Sequence, residues 1–146
     1  MQLKLDAGQL ERYLQEVFPQ IYGRNPIYRI EAVGAGYAQV SLTAGQEQLR
    51  PGGTVSGPAL MALADLAAYA VILAHVGRQA LAVTTSLNIN FMRKAEAGLI
   101  DGNCRLLKLG RQLAVVDCML IERSSGQLIA QASATYALPP VATAVP

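Results

Sequence analysis

The sequence predicts an α+β domain in which a curled antiparallel sheet of about six strands wraps one long central helix, with a short helix in front. Three observations predict it. Residues 56–75 form one long apolar segment dominated by Ala, Leu and Met. Around it lie short runs in which apolar and polar residues alternate, separated by Gly-containing turns, the pattern of half-buried strands. With one long helix to cover them, the strands must curl around it and present their outer face and edges to another copy of the chain.

Taken in order, residues 7–19 read as a short helix, because Leu10, Tyr13, Leu14 and Val17 recur at helical spacing and Asp6 is an N-cap candidate. Pro19 and the Gly23–Pro26 stretch end it. Strands follow at 27–33 and 37–43, joined by the Gly34–Gly36 turn, with Ala38, Val40 and Leu42 alternating against Gln39, Ser41 and Thr43. Residues 44–53 are a polar loop. The apolar segment 56–75 is helical: Pro58 falls in its first turn, where a missing N–H costs little, and Gly77 stops it. Four strands complete the chain, at 81–92, 98–108, 112–122 and 127–138. Leu109-Gly110-Arg111 and Ser124-Ser125-Gly126 are hairpin turns. In the first of the four, Leu87, Ile89 and Phe91 share a face opposite Ser86, Asn88 and Asn90. One domain spans 1–138, and 139–146 read as a frayed Pro- and Ala-rich tail.

The chain has 146 residues, enough for one core. Charged residues are only 15 % and hydrophobic residues 52 %, which excludes intrinsic disorder. The net charge is +2 and the basic residues are scattered, so a nucleic-acid surface is not expected. The close pairs Arg93–Lys94 and Lys108–Arg111 suit a ligand carrying a few phosphates. Cys104 and Cys118 have neither CxxC spacing nor a neighbouring His cluster, so no metal is expected. The charged N-terminus does not resemble a signal peptide, and a reduced, cytoplasmic location is the expectation. Residues 57–74 approach the length of a membrane span, but an acid at mid-span and the flanking amphipathic strands favour a core helix.

Between Pro51 and Ala74 the only charged residue is Asp65. A carboxylate set among Leu60, Met61, Leu63, Leu66 and Ala67 is costly to ionise without partners, so it either works chemically or bonds a hydroxyl or N–H that fixes the packing. At the helix start, Ser56-Gly57-Pro58 places unpaired N–H groups and the positive dipole end at Gly57, a site for a developing oxyanion; the alternative is a plain Ser56 cap. Gly57 and Asp65 are about 12 Å apart along one helix. They cannot both reach one carbonyl from the same chain. Two such helices packed antiparallel about a two-fold axis would bring Gly57 of one beside Asp65 of the other, making two sites. His75 lies about 15 Å beyond Asp65 and reads as a helix C-terminal cap. Tyr69, one turn past Asp65, is either core or a wall of a ligand pocket. Asp117 is expected to pair with Arg105 across a hairpin.

The run from Ser56 to Asp65, Ser-Gly-Pro-Ala-Leu-Met-Ala-Leu-Ala-Asp, resembles the His-Gly-Gly…Leu-Ala-Asp signature of hotdog-fold acyl-CoA thioesterases, in particular the PaaI-like group of the phenylacetate pathway. Val83–Ala95 is similar to that group's third strand and basic turn, and Leu109–Arg111 and Gln127–Tyr136 to its last hairpins. The likeness runs over about residues 25–138. It implies a dimer, often a tetramer, with shared active sites. It also implies that Asp65 acts on the thioester as nucleophile or general base, that the Gly57 N–H polarises the carbonyl, and that Thr84 orients the water or the carboxylate. Coenzyme A is then part of the substrate and no cofactor is needed; Arg93, Lys94 and Arg111 either meet its phosphates or are solvated turns.

The chain departs from the signature at three places. The histidine is Ser56, which can still donate one hydrogen bond. The second glycine is Pro58, which has no N–H. The loop asparagine falls on Arg50, which either contacts the thioester or a substrate carboxylate or faces solvent. The expectation is a hydrolase acting on a medium-chain or aryl acyl-CoA. The alternative is a non-catalytic acyl-CoA-binding or scaffold protein on the same fold. A hydratase ranks last, because no histidine is placed to pair with Asp65.

Overall fold

In the computed structural model, which describes residues 1–23 and 25–140, six strands form one antiparallel sheet around one helix. The elements are α1 (Ala7–Val17), β1 (Tyr28–Gly34), β2 (Tyr37–Ala44), α2 (Gly57–Val76), β3 (Val83–Phe91), β4 (Gly98–Leu109), β5 (Leu113–Glu122) and β6 (Leu128–Ala137). The expected elements are all present, with ends moved by one or two residues; the polar loop before α2 contains a short 3-10 turn, Gln46–Gln48. The part of the expected tail from 141 onward lies outside the described residues. This is the hotdog architecture.

The strand order is β1-β2-β4-β5-β6-β3. β3 therefore does not pair with β4, its successor in sequence. It crosses to the far side, pairs with β6, and leaves its other side as a free sheet edge. α1 forms because Asp6 accepts from the Gln9 N–H at 2.8 Å while the Gln9 side chain accepts from the Asp6 N–H at 2.9 Å, a reciprocal capping box. Leu10 and Leu14 bury its inner face completely.

α2 is apolar on every side because the sheet wraps it: the run Leu66–His75 is buried without a break. That burial accounts for its membrane-like hydropathy, since a helix enclosed by protein has no polar face to show. Small residues let it lie close to the sheet. A Cβ at Gly102 would stand 3.2 Å from Ala67 Cβ, tighter than ordinary contact, and the inward residues Ala130, Ala132 and Ala134 of β6 are also small. At the helix end the expected charged cap is instead a buried clamp. His75 Nε2 accepts from the Gly36 N–H at 2.8 Å, so the ring proton sits on Nδ1, which lies 2.7 Å from the Val71 carbonyl and donates to it. The histidine thus ties α2 to the β1–β2 turn.

Ser41, one of the polar residues that alternate along β2, is buried beneath an ionic cluster on the outer side of the sheet. There Arg123 bonds Asp101 at 2.6 and 2.9 Å and Glu31 at 2.7 Å. Asp117 does stand opposite Arg105 in register, but its carboxylate accepts from Gln131 Nε2 at 2.7 Å, and no ion pair of Asp117 exists among the described residues.

Candidate active site

Asp65 projects from the middle of α2 into a cleft of about 510 Å³ between α2, the start of β3 and the turn that follows α1. It is half-buried, not enclosed in apolar side chains as the sequence suggested. Its Oδ1 is held by two hydroxyls: Thr84 Oγ1 donates at 2.7 Å and Tyr136 OH at 2.5 Å. The Tyr136 oxygen also lies 3.0 Å from the Asp65 carbonyl, but a phenol has one proton and the carboxylate is the stronger acceptor. No described residue bonds Oδ2. One carboxylate oxygen is therefore anchored, and the other is free to accept a proton from a molecule in the cleft.

Strand register explains the pairing. Thr84 and Tyr136 are partners across the β3–β6 ladder and point to the same side, beneath α2. Burial, reinforced by the Asp65 charge and its hydrogen bond, holds the Tyr136 phenol far above its ordinary pKa, so it remains a donor. Tyr69 stacks on Tyr136 with ring centroids 6.0 Å apart and lines the same cleft. Its hydroxyl donates to the Ala80 carbonyl at 2.7 Å, and burial pushes its pKa up to about 12, so it offers the cleft an apolar ring.

The second group of predicted residues gathers elsewhere. Gly57, Arg50, Arg93 and Lys94 line a separate shallow cleft with Phe91 and Met92. Backbone bonds build it: the Val55 N–H donates to the Ala95 carbonyl at 2.8 Å, pinning the loop before α2 to the basic turn after β3, and the Ser56 N–H donates to the Gln48 carbonyl at 2.8 Å, closing that loop on itself. Ser56 caps α2 by accepting from the Ala59 N–H at 3.2 Å, which leaves its hydroxyl proton free. The Gly57 N–H has no hydrogen-bond partner among the described residues. Arg111 stands apart from both groups, at the β4–β5 turn beside Lys108.

Within one chain, then, the acid with Thr84 and Tyr69 occupies one cleft, and the oxyanion candidate with the basic residues occupies another. The sequence reading missed Tyr136. Its signal was available, since a tyrosine interrupts the small inward residues of β6, but only the β3–β6 pairing reveals that it faces Asp65. Among the described residues no group of three His, Cys, Asp or Glu side chains is placed to hold a metal ion.

The Thioesterase superfamily family model matches residues 52–129, more than half of the chain and the stretch that carries Gly57, Asp65 and Thr84. The chain belongs to the thioesterase superfamily. A crystal structure of a candidate thioesterase from Silicibacter sp. TM1040 is 48 % identical, with 96 % of each chain covered and a TM-score of 0.86. A candidate thioesterase related to phenylacetic acid degradation, from Ralstonia eutropha JMP134, is 30 % identical over 84 % of this chain and 98 % of that one, with a TM-score of 0.71. A curated relative, described as a candidate esterase of Thermoplasma acidophilum, is 24 % identical over 77 % of this chain and 84 % of its own. The superfamily's chemistry is thioester hydrolysis, and the anchored carboxylate at a cleft is an arrangement suited to it. Tyr136 and the whole of α1 lie outside the matched stretch.

Proposed function

We propose that the protein is a cytoplasmic acyl-CoA thioesterase with a medium-chain or aryl acyl group, working as a homodimer, or a tetramer of such dimers, with no resident cofactor. The observation that carries this reading is the Asp65 carboxylate, with one oxygen fixed by Thr84 and Tyr136 and the other free at an apolar cleft. Oδ2 takes a proton from water as the water oxygen attacks the thioester carbon. The carbon–sulfur bond then breaks, the thiolate of coenzyme A leaves and takes up the proton, and the free acid remains. The developing oxyanion needs a donor, and the free Gly57 N–H at the positive end of α2 supplies one from the partner subunit.

The edge strand supports the dimer. Val83–Phe91 has no charged residue and no proline, the features that natural edge strands use to prevent pairing. Val83, Phe91, Met92 and Met61 are all exposed beside it. Pairing this edge with itself about a two-fold axis covers those side chains and brings the Gly57 cleft of one subunit toward Asp65 of the partner subunit. Arg50, Arg93 and Lys94 then meet the coenzyme A phosphates at the mouth of the shared site.

The test is release of coenzyme A from aryl, short, medium and long acyl-CoAs, read with a thiol reagent. Asp65→Asn keeps an oxygen for both hydroxyls but removes the base, and turnover should fall more than about a hundredfold. Wild-type turnover in that variant removes Asp65 from the mechanism. Acyl-CoA that raises the melting temperature without release would favour the binding protein, the reading to which Pro58, lacking an N–H, points.

A further inference from the structure

Resting on that reading, we infer that the turn closing α1 sets the acyl-length limit, with Phe18 and Ile21 as the wall that the far end of the acyl group meets. Three observations lead there. First, the Asp65 cleft is bounded opposite β3 by Val17, Phe18, Gln20 and Ile21, so a segment outside the family match supplies one side of it. Second, a continuous aromatic series leads from the carboxylate to that turn. Tyr136 bonds Asp65, Tyr69 stacks on Tyr136 at 6.0 Å, and Phe18 packs edge-on to Tyr69 at 6.1 Å. An acyl group whose carbonyl lies at Asp65 and whose body follows this surface arrives at Phe18.

Third, the wall is fixed. The Phe18 N–H closes α1 on the Leu14 carbonyl at 2.8 Å, and the Tyr22 N–H returns to the Phe18 carbonyl at 2.8 Å, with Leu14 and Tyr22 wholly buried. The opposite rim is tied down as well. Tyr13 OH accepts from the Ala80 N–H at 3.2 Å, and Tyr69 OH donates to the Ala80 carbonyl. A wall anchored to the core on both sides limits size by steric exclusion, because packed side chains do not deform continuously. The lining also names the class of acyl group. Among the described residues that line it the only charge is Asp65 and none is a cation, so it takes uncharged hydrocarbon or aryl groups and rejects those ending in a carboxylate.

The experiment measures kcat/KM for straight-chain acyl-CoAs from acetyl to hexadecanoyl, and for glutaryl-CoA, on the full-length protein and two variants. Phe18→Ala should raise the ratio of long-chain to acetyl turnover by about tenfold or more, and Ile21→Trp should lower it by a similar factor. Acetyl-CoA turnover should move by less than about twofold, and the wild type should favour an uncharged acyl group over glutaryl by about tenfold. Length profiles that superimpose on the wild type, or equal losses at every length, overturn the inference while leaving the thioesterase reading intact. A wild type that cleaves neither this series nor an aryl acyl-CoA overturns both, and one that cleaves the aryl acyl-CoA alone overturns the length limit and leaves the thioesterase reading intact. Ile21 is only half-buried, so Ile21→Trp decides the matter if Phe18→Ala does not fold.

Discussion

Tyr136→Phe removes one hydroxyl oxygen and leaves the ring stacked on Tyr69. What it takes away is a 2.5 Å donor to the same Asp65 oxygen that Thr84 engages at 2.7 Å. A hydrogen bond to a charged acceptor is worth about 1.5–3 kcal/mol. If all of it served to hold Oδ2 toward the attacking water, its loss would slow turnover between roughly tenfold and a hundredfold. Thr84 still holds the same oxygen in the single variant, so the effect belongs at the lower bound, about tenfold in kcat. Removing both hydroxyls with Thr84→Val frees the carboxylate to rotate and should bring the loss to about a hundredfold, near that of Asp65→Asn. KM should change by less than about twofold, because both hydroxyls bond the carboxylate and not the substrate. Thr84→Ser keeps its donor and should keep its rate. Since burial and Asp65 hold the Tyr136 phenol protonated, the ratio of wild-type to variant kcat should be flat between about pH 6 and 9. The assay is steady-state release of coenzyme A, with melting temperatures measured alongside; the Tyr136→Phe protein should melt within about 5 °C of the wild type. An unchanged kcat, or a rise in KM alone, refutes the positioning argument.

The same geometry carries three other expectations. Gly57→Pro places a second proline in the first turn of α2, where the helix tolerates it, but deletes the free N–H; kcat should fall about a hundredfold or more with little change in melting temperature. Gly57→Ala keeps the N–H and its Cβ would sit 3.5 Å from the Phe91 ring, an ordinary contact, so that variant should remain active. Arg123→Met should destabilise the fold by about 1 kcal/mol, since the side chain is 40 % exposed and screened by solvent, read by urea denaturation at neutral pH. Burial pulls the Asp101 carboxyl upward, but the Arg123 hydrogen bonds and charge, with Gln39, bring it below its usual value; Arg123 first of all does the same for Glu31. A folded-state value below the unfolded one stabilises above the unfolded pKa. This contribution is lost as pH falls through the folded value, so the gap between wild type and Arg123→Met should close below about pH 4. His75→Leu leaves the half-buried Gly36 N–H without its acceptor and should cost about 1 kcal/mol in the same denaturation experiment.

What was legible in the sequence follows the range of the interactions involved. α1, α2 and the hairpins rest on local signals: the Asp6 cap, the Ser56 cap, the periodicity of the strands and the Gly turns. They appear where those signals place them, to within a residue or two. Asp65 was legible for the opposite reason, as a charge where the local pattern demands none. The misreadings all depend on contacts between residues distant in the chain. His75 reads as a simple helix C-terminal cap, and only the β1–β2 turn, 39 residues away, shows it as the acceptor of a long-range bond. The burial of Ser41 was not legible either, because alternation reports which face a side chain occupies and not what covers that face. Tyr136 lies 71 residues from Asp65 and meets it because β3 crosses the sheet to pair with β6. That crossing also explains how the chain departs from the family signature at Arg50, Ser56 and Pro58 without disturbing the acid. All three altered positions belong to the loop and first turn of α2, around the Gly57 cleft, whereas Asp65 is held by β3 and β6 alone. The half-site that grips the carboxylate and the half-site proposed to receive the oxyanion are built from different elements. Substitution at one therefore leaves the geometry of the other in place, and in the proposed dimer only the two-fold axis joins them.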